Sequence, residues 1–384
     1  MKHKDRLLQA IDHKEPDRVP IDIGQTAVTG VSQITYGKIL EMLGIKDREI
    51  IIYDIIQQLA KIDEDILQKY GVDMRGVYLG APKGWSLEII DDGEYTSFVD
   101  AWDVKWRMPK KNGFYYDLYE HPLRGDNLDD IDKIKHIDPL DRGRVRSMIE
   151  EAKKIKDEGE YASIMAGCGY TVGYLQQFQW LQGFEDSYMN IAGNEKFTQK
   201  LLDKLEELEF QFWDWFIPEG GKDIDIMVTA DDYAGQNCML ISPEHFRKYF
   251  KPMYIRLFSK IKSMAPDMKV FFHSCGAIYE IIPDIIEMGA DILNPLQFNA
   301  KDMELKRIKK EFGNDITFWG GAADPKSTLP FGTPKDVEEE VKRNLDILMP
   351  GGGYVFNTVH DIQRDVPPEN AIALWETALE YGKY

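Results

Sequence analysis

The feature that most constrains the fold is a regular alternation, from about residue 160 onward, of short apolar runs with longer amphipathic stretches. Six runs rich in β-branched or small residues have the length of strands, and a loop follows each of them. They are ASIMAG (162–167), DIDIMVTA (223–230), KVFFHS (269–274), ADILNPL (290–296), ITFWGG (316–321) and GGYVFNT (352–358). Strands that alternate with helices form parallel sheets, so we predict an α/β fold built from repeated βα units.

Amphipathic segments between these runs carry apolar residues at three- and four-residue spacing, which predicts helices. They cover residues 197–216, 242–264, 277–289 and 333–349. Two of them begin with Ser242 or Thr333 followed by proline, which is typical of an N-cap with proline in the first turn.

The first 130 residues are less regular. They open with a helical segment, continue with the strand RVPIDIG (18–24) and then with more helices to about residue 70. At about 88–123, alternating runs separated by DDG and KNG predict a β-rich insertion with hairpin turns. We find no internal repeat or linker, and 384 residues suit one α/β barrel with insertions, so we predict a single domain over 1–384.

Composition excludes several classes of function. The chain has 47 Lys and Arg against 66 Asp and Glu, and its net charge of −19 repels nucleic acids and anionic lipid surfaces. No segment approaches the roughly 18 apolar residues of a membrane helix. The chain has three cysteines, which is an odd number and too few for a disulfide framework. This fits a reducing compartment, so we expect a cytoplasmic protein. The sequence leaves homo-oligomerisation open.

Polar residues follow five of the predicted strands. In a parallel barrel the active site lies at the carboxyl ends of the strands, so these residues are the first candidates for a site. They are Cys168, Asp231 with Asp232, His273 with Cys275, Gln297, and His360 with Asp361.

The pair His273 and Cys275 is the strongest signal of chemistry. Alternation along an extended segment directs both side chains to one side, and nitrogen with thiolate sulfur suits zinc. A bare His-x-Cys is more often a buried structural pair, but the position at a strand end before Gly276 favours a metal site. A catalytic zinc needs about three protein ligands.

His360, after the last predicted strand, is the candidate third ligand, and a core or capping histidine is the alternative. Reserve ligands, or carboxylates that orient an imidazole, also follow the strands. They are Asp232, Glu280 and Asp361.

Asp231, Asp232 and Tyr233 form a second polar cluster, which either binds and orients a ligand or stands as an acidic group at a helix N-terminus. Gln236 belongs to the same loop. Aromatic residues are candidates for a pocket wall, although such residues more often lie in a core. They are Tyr170, Tyr174, Phe178, Trp180, Trp102 and Trp106.

Several segments resemble the uroporphyrinogen decarboxylase-like superfamily. They are RVP near the start, ADDYAGQNCMLISPEHFRKYFKP (230–252), FFHSCGAIYEIIPDIIEMGADILNPLQ (271–297), WGGAADPKSTLPFGTPKDVEEEV (319–341) and DVPPEN (365–370). The resemblance implies a TIM (β/α)8 barrel, here with an N-terminal helical extension and a β-hairpin insertion.

Within this superfamily, the decarboxylase needs no metal and uses an arginine-bearing segment that we do not find after RVP. The related corrinoid methyltransferases carry a His-x-Cys pair and a Cys ten positions before the Asn of a Pro-x-Glu-Asn element. Counting back ten from Asn370 gives His360. The resemblance therefore implies zinc held by His273, Cys275 and His360, and a second histidine makes such a zinc more Lewis acidic.

The form TVHDIQRDVPPEN is similar to bacterial O-demethylase methyltransferases. It implies methyl transfer from a methoxylated aromatic to a Co(I) corrinoid (cobalamin), and the missing Asp-x-His-x-x-Gly motif implies that a partner protein carries the corrinoid. Candidate catalytic residues are Asp232, Asp231 and Tyr233; candidate substrate-binding residues are Gln236, Gln297, Tyr170, Tyr174 and Trp180. The alternatives are a methylcorrinoid:thiol methyltransferase, a methyltransferase for another simple donor, and a non-catalytic tetrapyrrole- or corrinoid-binding barrel.

Overall fold

A computed structural model describes residues 1–384. The helices, α1 to α15 in chain order, are His3–Ile11, Gln33–Met42, Glu64–Lys69, Leu128–Ile131, Arg142–Glu158, Tyr174–Gln182, Phe184–Gly193, Glu195–Glu219, Pro243–His245, Lys251–Met264, Ile282–Met288, Leu305–Phe312, Thr328–Phe331, Pro334–Leu348 and Pro368–Tyr381. The strands, β1 to β13, are Ile52–Asp54, Leu59–Ala60, Met74–Val77, Ile90–Asp92, Tyr95–Val99, Lys105–Pro109, Asp117–Glu120, Ala162–Met165, Ile226–Ala230, Lys269–His273, Ile292–Asn294, Thr317–Trp319 and Tyr354–Val355.

Seven parallel strands curl into a barrel in the order β13-β12-β11-β10-β9-β8-β3. The segment 18–24 lies between the two end strands. Ile21 bridges in parallel to Phe356 beyond β13, and the N–H of Asp73, just before β3, donates to the carbonyl of Ile21 at 3.0 Å. This segment fills the eighth position only as isolated bridges because Pro20 has no N–H for a continuous ladder. The TIM-barrel prediction is confirmed.

All six strands predicted from residue 160 onward are present with shorter ends, as β8 to β13. The sequence did not reveal β3 or the small antiparallel pair β1 and β2. The strand β3 reads MRGV, where Arg75 and Gly76 interrupt the apolar pattern. Arg75 is accommodated because Glu64 accepts two hydrogen bonds from its guanidinium, each 2.8 Å long.

The predicted insertion folds as a four-stranded antiparallel sheet in the order β4-β5-β6-β7. Its predicted turns are in place: Gly93 follows β4 with φ of 65°, and Asn112 follows β6 with φ of 61°. Both conformations lie in the left-handed region, which glycine and asparagine tolerate best. The predicted turn residues therefore connect antiparallel strands, as the sequence indicated.

The predicted helices are confirmed, with two internal differences. The helix predicted over 277–289 begins with a 3-10 turn at Tyr279–Ile281 before α11. Thr333 forms a capping box with Asp336, and the Ser242 hydroxyl accepts a hydrogen bond from the N–H of His245 at 3.2 Å. The helix predicted over 242–264 consists of α9, a π-helical turn at Phe246–Phe250 and α10. Pro252 in the first turn of α10 has no N–H to donate, which accounts for the change of hydrogen-bonding pattern there.

Helix α1 covers the amino ends of the barrel strands, which we call the bottom of the barrel. Its carbonyl at Ala10 accepts from the N–H of Gly353 before β13, and Lys4 pairs with Asp225 before β9 at 2.6 Å. One hydrophobic cluster of 104 buried residues runs through the barrel and its helices. No helix is long and apolar enough to span a bilayer.

Candidate metal centre at the barrel mouth

Three donor side chains meet at the carboxyl ends of the strands, which we call the mouth. His273 ends β10, and Cys275 two residues later projects to the same side, with its Sγ 3.3 Å from His273 Nε2. His360 follows β13, and its ring stands 5.6 Å from that of His273 at an angle of 74°. One donor atom from each of the three residues lies within 4.8 Å of the others.

Asn294 at the end of β11 determines which nitrogen of His273 is free. Its amide nitrogen donates to the carbonyl of Trp319 at 2.8 Å, so its Oδ1 faces His273 Nδ1, 2.5 Å away. An amide oxygen can only accept, so Nδ1 carries the proton and Nε2 keeps its lone pair. Burial lowers the pKa of His273 to about 4, so the imidazole is a neutral donor near pH 7.

Cys275 stands in surroundings that oppose a free thiolate. Burial, together with the charges of Asp232 and Asp361, raises the pKa of its thiol well above the usual value. A bound cation reverses this preference, because metal coordination deprotonates thiols. Two imidazoles and one thiol are donors that zinc takes in proteins, so the residues fit that ion.

Two carboxylates flank the three donors. Asp232 Oδ1 accepts a 2.7 Å hydrogen bond from the N–H of Cys275 and lies 3.6 Å from His273 Nε2. Asp361 is fully buried beside His360. Its Oδ1 accepts from the N–H of Gly30, whereas its Oδ2 lies 3.3 Å from His360 Nδ1 and has no hydrogen bond. Burial raises the pKa of Asp361 well above the usual value and lowers that of His360.

Asp231 and Tyr233 do not enter the cavity at the mouth. The Asp231 carboxylate accepts from the N–H groups of Leu175 and Gln176 at the start of α6, at 2.9 and 2.7 Å, and from the Tyr233 hydroxyl at 2.6 Å. Its oxygens are therefore already occupied, as in the alternative in which the acidic pair serves a helix N-terminus. Asp232 is the member of the cluster that reaches the cavity. The reserve ligand Glu280 is exposed and lies outside the donor group.

A cavity of about 500 Å³ extends from the donors, and aromatic side chains form part of its wall. His273, His360 and Asp232 line part of it. Six of its aromatic side chains come from the insertion, from the loop after β8 and from α6. They are Trp102, Trp106, Tyr115, Tyr116, Tyr170 and Trp180. Of the aromatic residues predicted to bind substrate, Tyr170 and Trp180 line the cavity. Tyr174 does not line it and packs against Tyr254.

Gln236 and Gln297 contribute in a different way. Gln297 Oε1 accepts from the N–H of Gly276 at 2.8 Å, and its amide nitrogen donates to Gln236 Oε1 at 2.9 Å. They brace the loop that carries Cys275, beside a second cavity of about 550 Å³. Cys275 and His360 line this second cavity, so the donor group lies between the two.

Three residues of the site were missed in the sequence. Asn294 ends the observed strand β11 but lies inside the predicted strand 290–296. The search for polar residues after predicted strands therefore selected Gln297 and passed over Asn294. Tyr115 lies in the insertion and lines both cavities, and Arg144 lies on α5 and lines the first. Neither follows a barrel strand, so no local signal marked them.

The fold and site define an α/β barrel with an N, N, S donor group at its mouth. The chain belongs to the uroporphyrinogen decarboxylase family, because the family model "Uroporphyrinogen decarboxylase (URO-D)" matches residues 100–381.

Sequence relatives carry the same description. The uroporphyrinogen decarboxylase of Geobacter sulfurreducens is 24% identical over 263 residues, which cover 67% of this chain and 71% of that protein. That of Chloroherpeton thalassium is 28% identical over 273 residues, covering 70% and 72%. Among solved structures, a methyltransferase from Methanosarcina mazei matches 99% of both chains with a TM-score of 0.63 at 18% identity, which shows a shared fold.

Proposed function

We propose that this protein is a zinc-dependent methyltransferase that moves a methyl group from a methoxylated aromatic to the Co(I) corrinoid of a separate protein. The observation that carries the proposal is the meeting of His273, Cys275 and His360 at an aromatic-walled cavity. Family membership and fold support an enzyme of the superfamily that includes decarboxylases and methyltransferases.

The chain's own residues prepare the reaction. His273, Cys275 and His360 would hold zinc, and bound zinc supplies a Lewis acid that polarises the methoxyl oxygen. Asn294 binds His273 Nδ1 and so leaves Nε2 free to bind the metal. Asp232 has a carboxylate oxygen, Oδ2, without a hydrogen bond at the cavity wall. We assign it the relay of a proton from solvent to the phenolate oxygen that is left when the bond between methyl carbon and oxygen breaks.

The aromatic wall orients the donor. Trp106 and Trp180 pack edge to face at 4.8 Å, and Trp102 meets Tyr170 in the same way at 5.7 Å. Such rigid surfaces hold a planar ring in place and exclude water from the polarised oxygen.

Decarboxylation, the activity in the names of the sequence relatives, fits the cavity poorly. A polycarboxylate substrate requires several cations, and Arg144 is the only arginine or lysine among the residues that line the cavity. Three acidic side chains also line it: Asp54, Asp117 and Asp232. A cavity with this balance of charge repels a highly anionic tetrapyrrole.

The test measures zinc by elemental analysis together with demethylation of a methoxyarene panel by added Co(I) corrinoid protein. The variants are His273→Ala, Cys275→Ala and His360→Ala, and the matched control is Cys238→Ala, because Cys238 is a free, exposed cysteine. We expect one zinc per chain in the wild type and the control, and loss of zinc and transfer in the other three.

Other outcomes would redirect the proposal. Full zinc in His360→Ala would remove His360 from the ligand set and favour a carboxylate. Transfer that depends on an added thiol would indicate the thiol methyltransferase, and a wild type without zinc would leave a barrel that only binds its ligand.

A further inference from the structure

We propose that Arg144 binds a carboxylate of the methyl donor, so that the preferred substrates are carboxylated methoxyarenes of the methoxybenzoate class. This inference rests on the proposed function, since it names the substrate of the same cavity. It adds a preference for ligands that carry a negative charge to the preference for aromatic rings.

The guanidinium of Arg144 has no partner in the protein. Arg144 lies in the first turn of α5 and lines the aromatic cavity beside Ile137 and Tyr170. Its Nε is buried without a hydrogen bond, and its guanidinium makes neither a hydrogen bond nor an ion pair within 4.0 Å. The buried arginines at the bottom of the barrel differ, because Arg6 and Arg18 both pair with Asp73.

The acids nearest to Arg144 are already occupied. Glu209 accepts from the N–H and hydroxyl of Thr171, at 2.9 and 2.7 Å, and from the indole of Trp213 at 2.7 Å. Asp141 accepts from the N–H groups of Gly143 and Lys83, at 3.1 and 2.7 Å. Neither carboxylate contacts the guanidinium, so Arg144 faces the cavity without a paired counter-charge.

A buried cation without a partner is costly unless a bound anion compensates it. Its planar array of N–H donors matches the two oxygens of a carboxylate better than a point charge would. The ligand must also pass between aromatic walls, which favours an aromatic ring that carries the carboxylate.

The other charges of the cavity set the orientation of such a ligand. Asp232 stands at the donor group, so a carboxylate there would be repelled. Asp117 is exposed at the rim, and burial raises the pKa of Asp54 and so favours its neutral form. The carboxylate therefore belongs at Arg144, and the methoxyl group points to His273 and His360.

The test compares 4-methoxybenzoate with its neutral isostere 4-methoxybenzamide in zinc-loaded protein, with binding followed by the fluorescence of the tryptophans in the cavity wall. The variants are Arg144→Gln and Arg144→Lys. The matched control is Arg146→Gln, because Arg146 is exposed on the same helix. Thermal unfolding of each variant shows whether it is folded.

We expect the wild type and the control to bind the benzoate about 10- to 100-fold more tightly than the benzamide, the range for a hydrogen-bonded charge pair. Arg144→Gln should lose this preference while binding the benzamide as before, and Arg144→Lys should recover part of it. A wild type that binds both ligands equally overturns the inference, even if every variant fails to fold. Equal weakening of both ligands in a folded Arg144→Gln also overturns it.

Demethylation assays on the same samples separate this inference from the proposed function. If benzoate binding depends on Arg144 but no methoxyarene is demethylated, the anion site stands and the proposed reaction fails. If neutral methoxyarenes are demethylated as well as the benzoate in wild type and Arg144→Gln, the reaction stands and the role of Arg144 fails.

Discussion

The bottom and the mouth of this barrel both hold buried ionisable groups. Those at the bottom have hydrogen-bond partners, whereas some at the mouth have none. At the bottom, fully buried Asp73 accepts from Arg6 at 2.7 Å, from Arg18 at 2.8 Å and from the N–H of Ile21 at 2.7 Å. At the mouth, Asp361 Oδ2 and the guanidinium of Arg144 lack hydrogen bonds.

This difference indicates that the bottom of the barrel serves stability and that the mouth serves ligand binding. A buried charge whose partners are all present stabilises the fold and leaves nothing to bind a ligand. A buried polar group without a partner costs free energy in the unliganded protein and is available to a metal or substrate. Substitutions at the two ends of the barrel test this contrast.

The largest effect is expected at the mouth and on activity alone. His360→Ala should reduce methyl transfer at least about 10³-fold, equivalent to about 4 kcal/mol of activation free energy, because it removes a zinc ligand. Its free energy of unfolding should stay close to that of the wild-type apoprotein. A loss of several kcal/mol of stability would show that the mouth is as structural as the bottom.

At the bottom, Asp73→Asn should lower the free energy of unfolding by about 3–5 kcal/mol, because it leaves Arg6 and Arg18 without their shared counter-charge. Chemical denaturation measures this change, and zinc content should not differ. Asp17→Asn is the control, since Asp17 also pairs with Arg6 but is 44% exposed; it should cost less than about 1 kcal/mol.

The contributions of Asp22 in the barrel interior and of Asp73 at the bottom to the free energy of unfolding should change with pH in opposite directions. Burial raises the pKa of Asp22 to about 6, so ionised Asp22 destabilises the fold at higher pH. Relative to wild type, Asp22→Asn should gain stability at pH 8, by up to about 3 kcal/mol, and this gain should vanish as pH falls from about 6 to about 4.

Asp73 should behave in the reverse sense. Burial opposes its ionisation, but His3, Arg18 and the N–H of Ile21 outweigh burial and lower its pKa. The cost of Asp73→Asn should thus be full above about pH 4 and should shrink as pH falls below that value. Denaturation curves from pH 3 to pH 8 for both variants measure the contrast, and parallel pH profiles would contradict it.

The smallest effect concerns the support of the metal donors. Asn294→Ala should weaken zinc binding by about 10- to 100-fold, because His273 loses the partner that fixes its tautomer. Competition with a chelator measures the affinity. Asn344→Ala is the control: Asn344 is also buried and donates to the carbonyls of Gly321 and Ala322, but it touches no donor. Equal weakening in both variants would indicate a general loss of packing.

We call the search for polar residues directly after predicted strands the strand-end rule. It located much of the site, because the carboxyl ends of parallel strands meet at one end of a barrel. It selected His273, Cys275, His360 and Asp232, which the fold brings together. The rule could not tell Asp231 from Asp232, because the direction of each side chain depends on contacts with α6 that are distant in sequence.

The sequence by itself determined the βα repeats, the hairpin insertion and the candidate donors, because periodicity, turn residues and strand ends are local properties of the chain. Only the tertiary structure decided that the insertion forms the wall of the cavity and that Arg144 faces it without a partner. The physical reason is that a charge is paired or unpaired according to groups far away in sequence, such as Glu209 and Thr171, which the fold alone brings near.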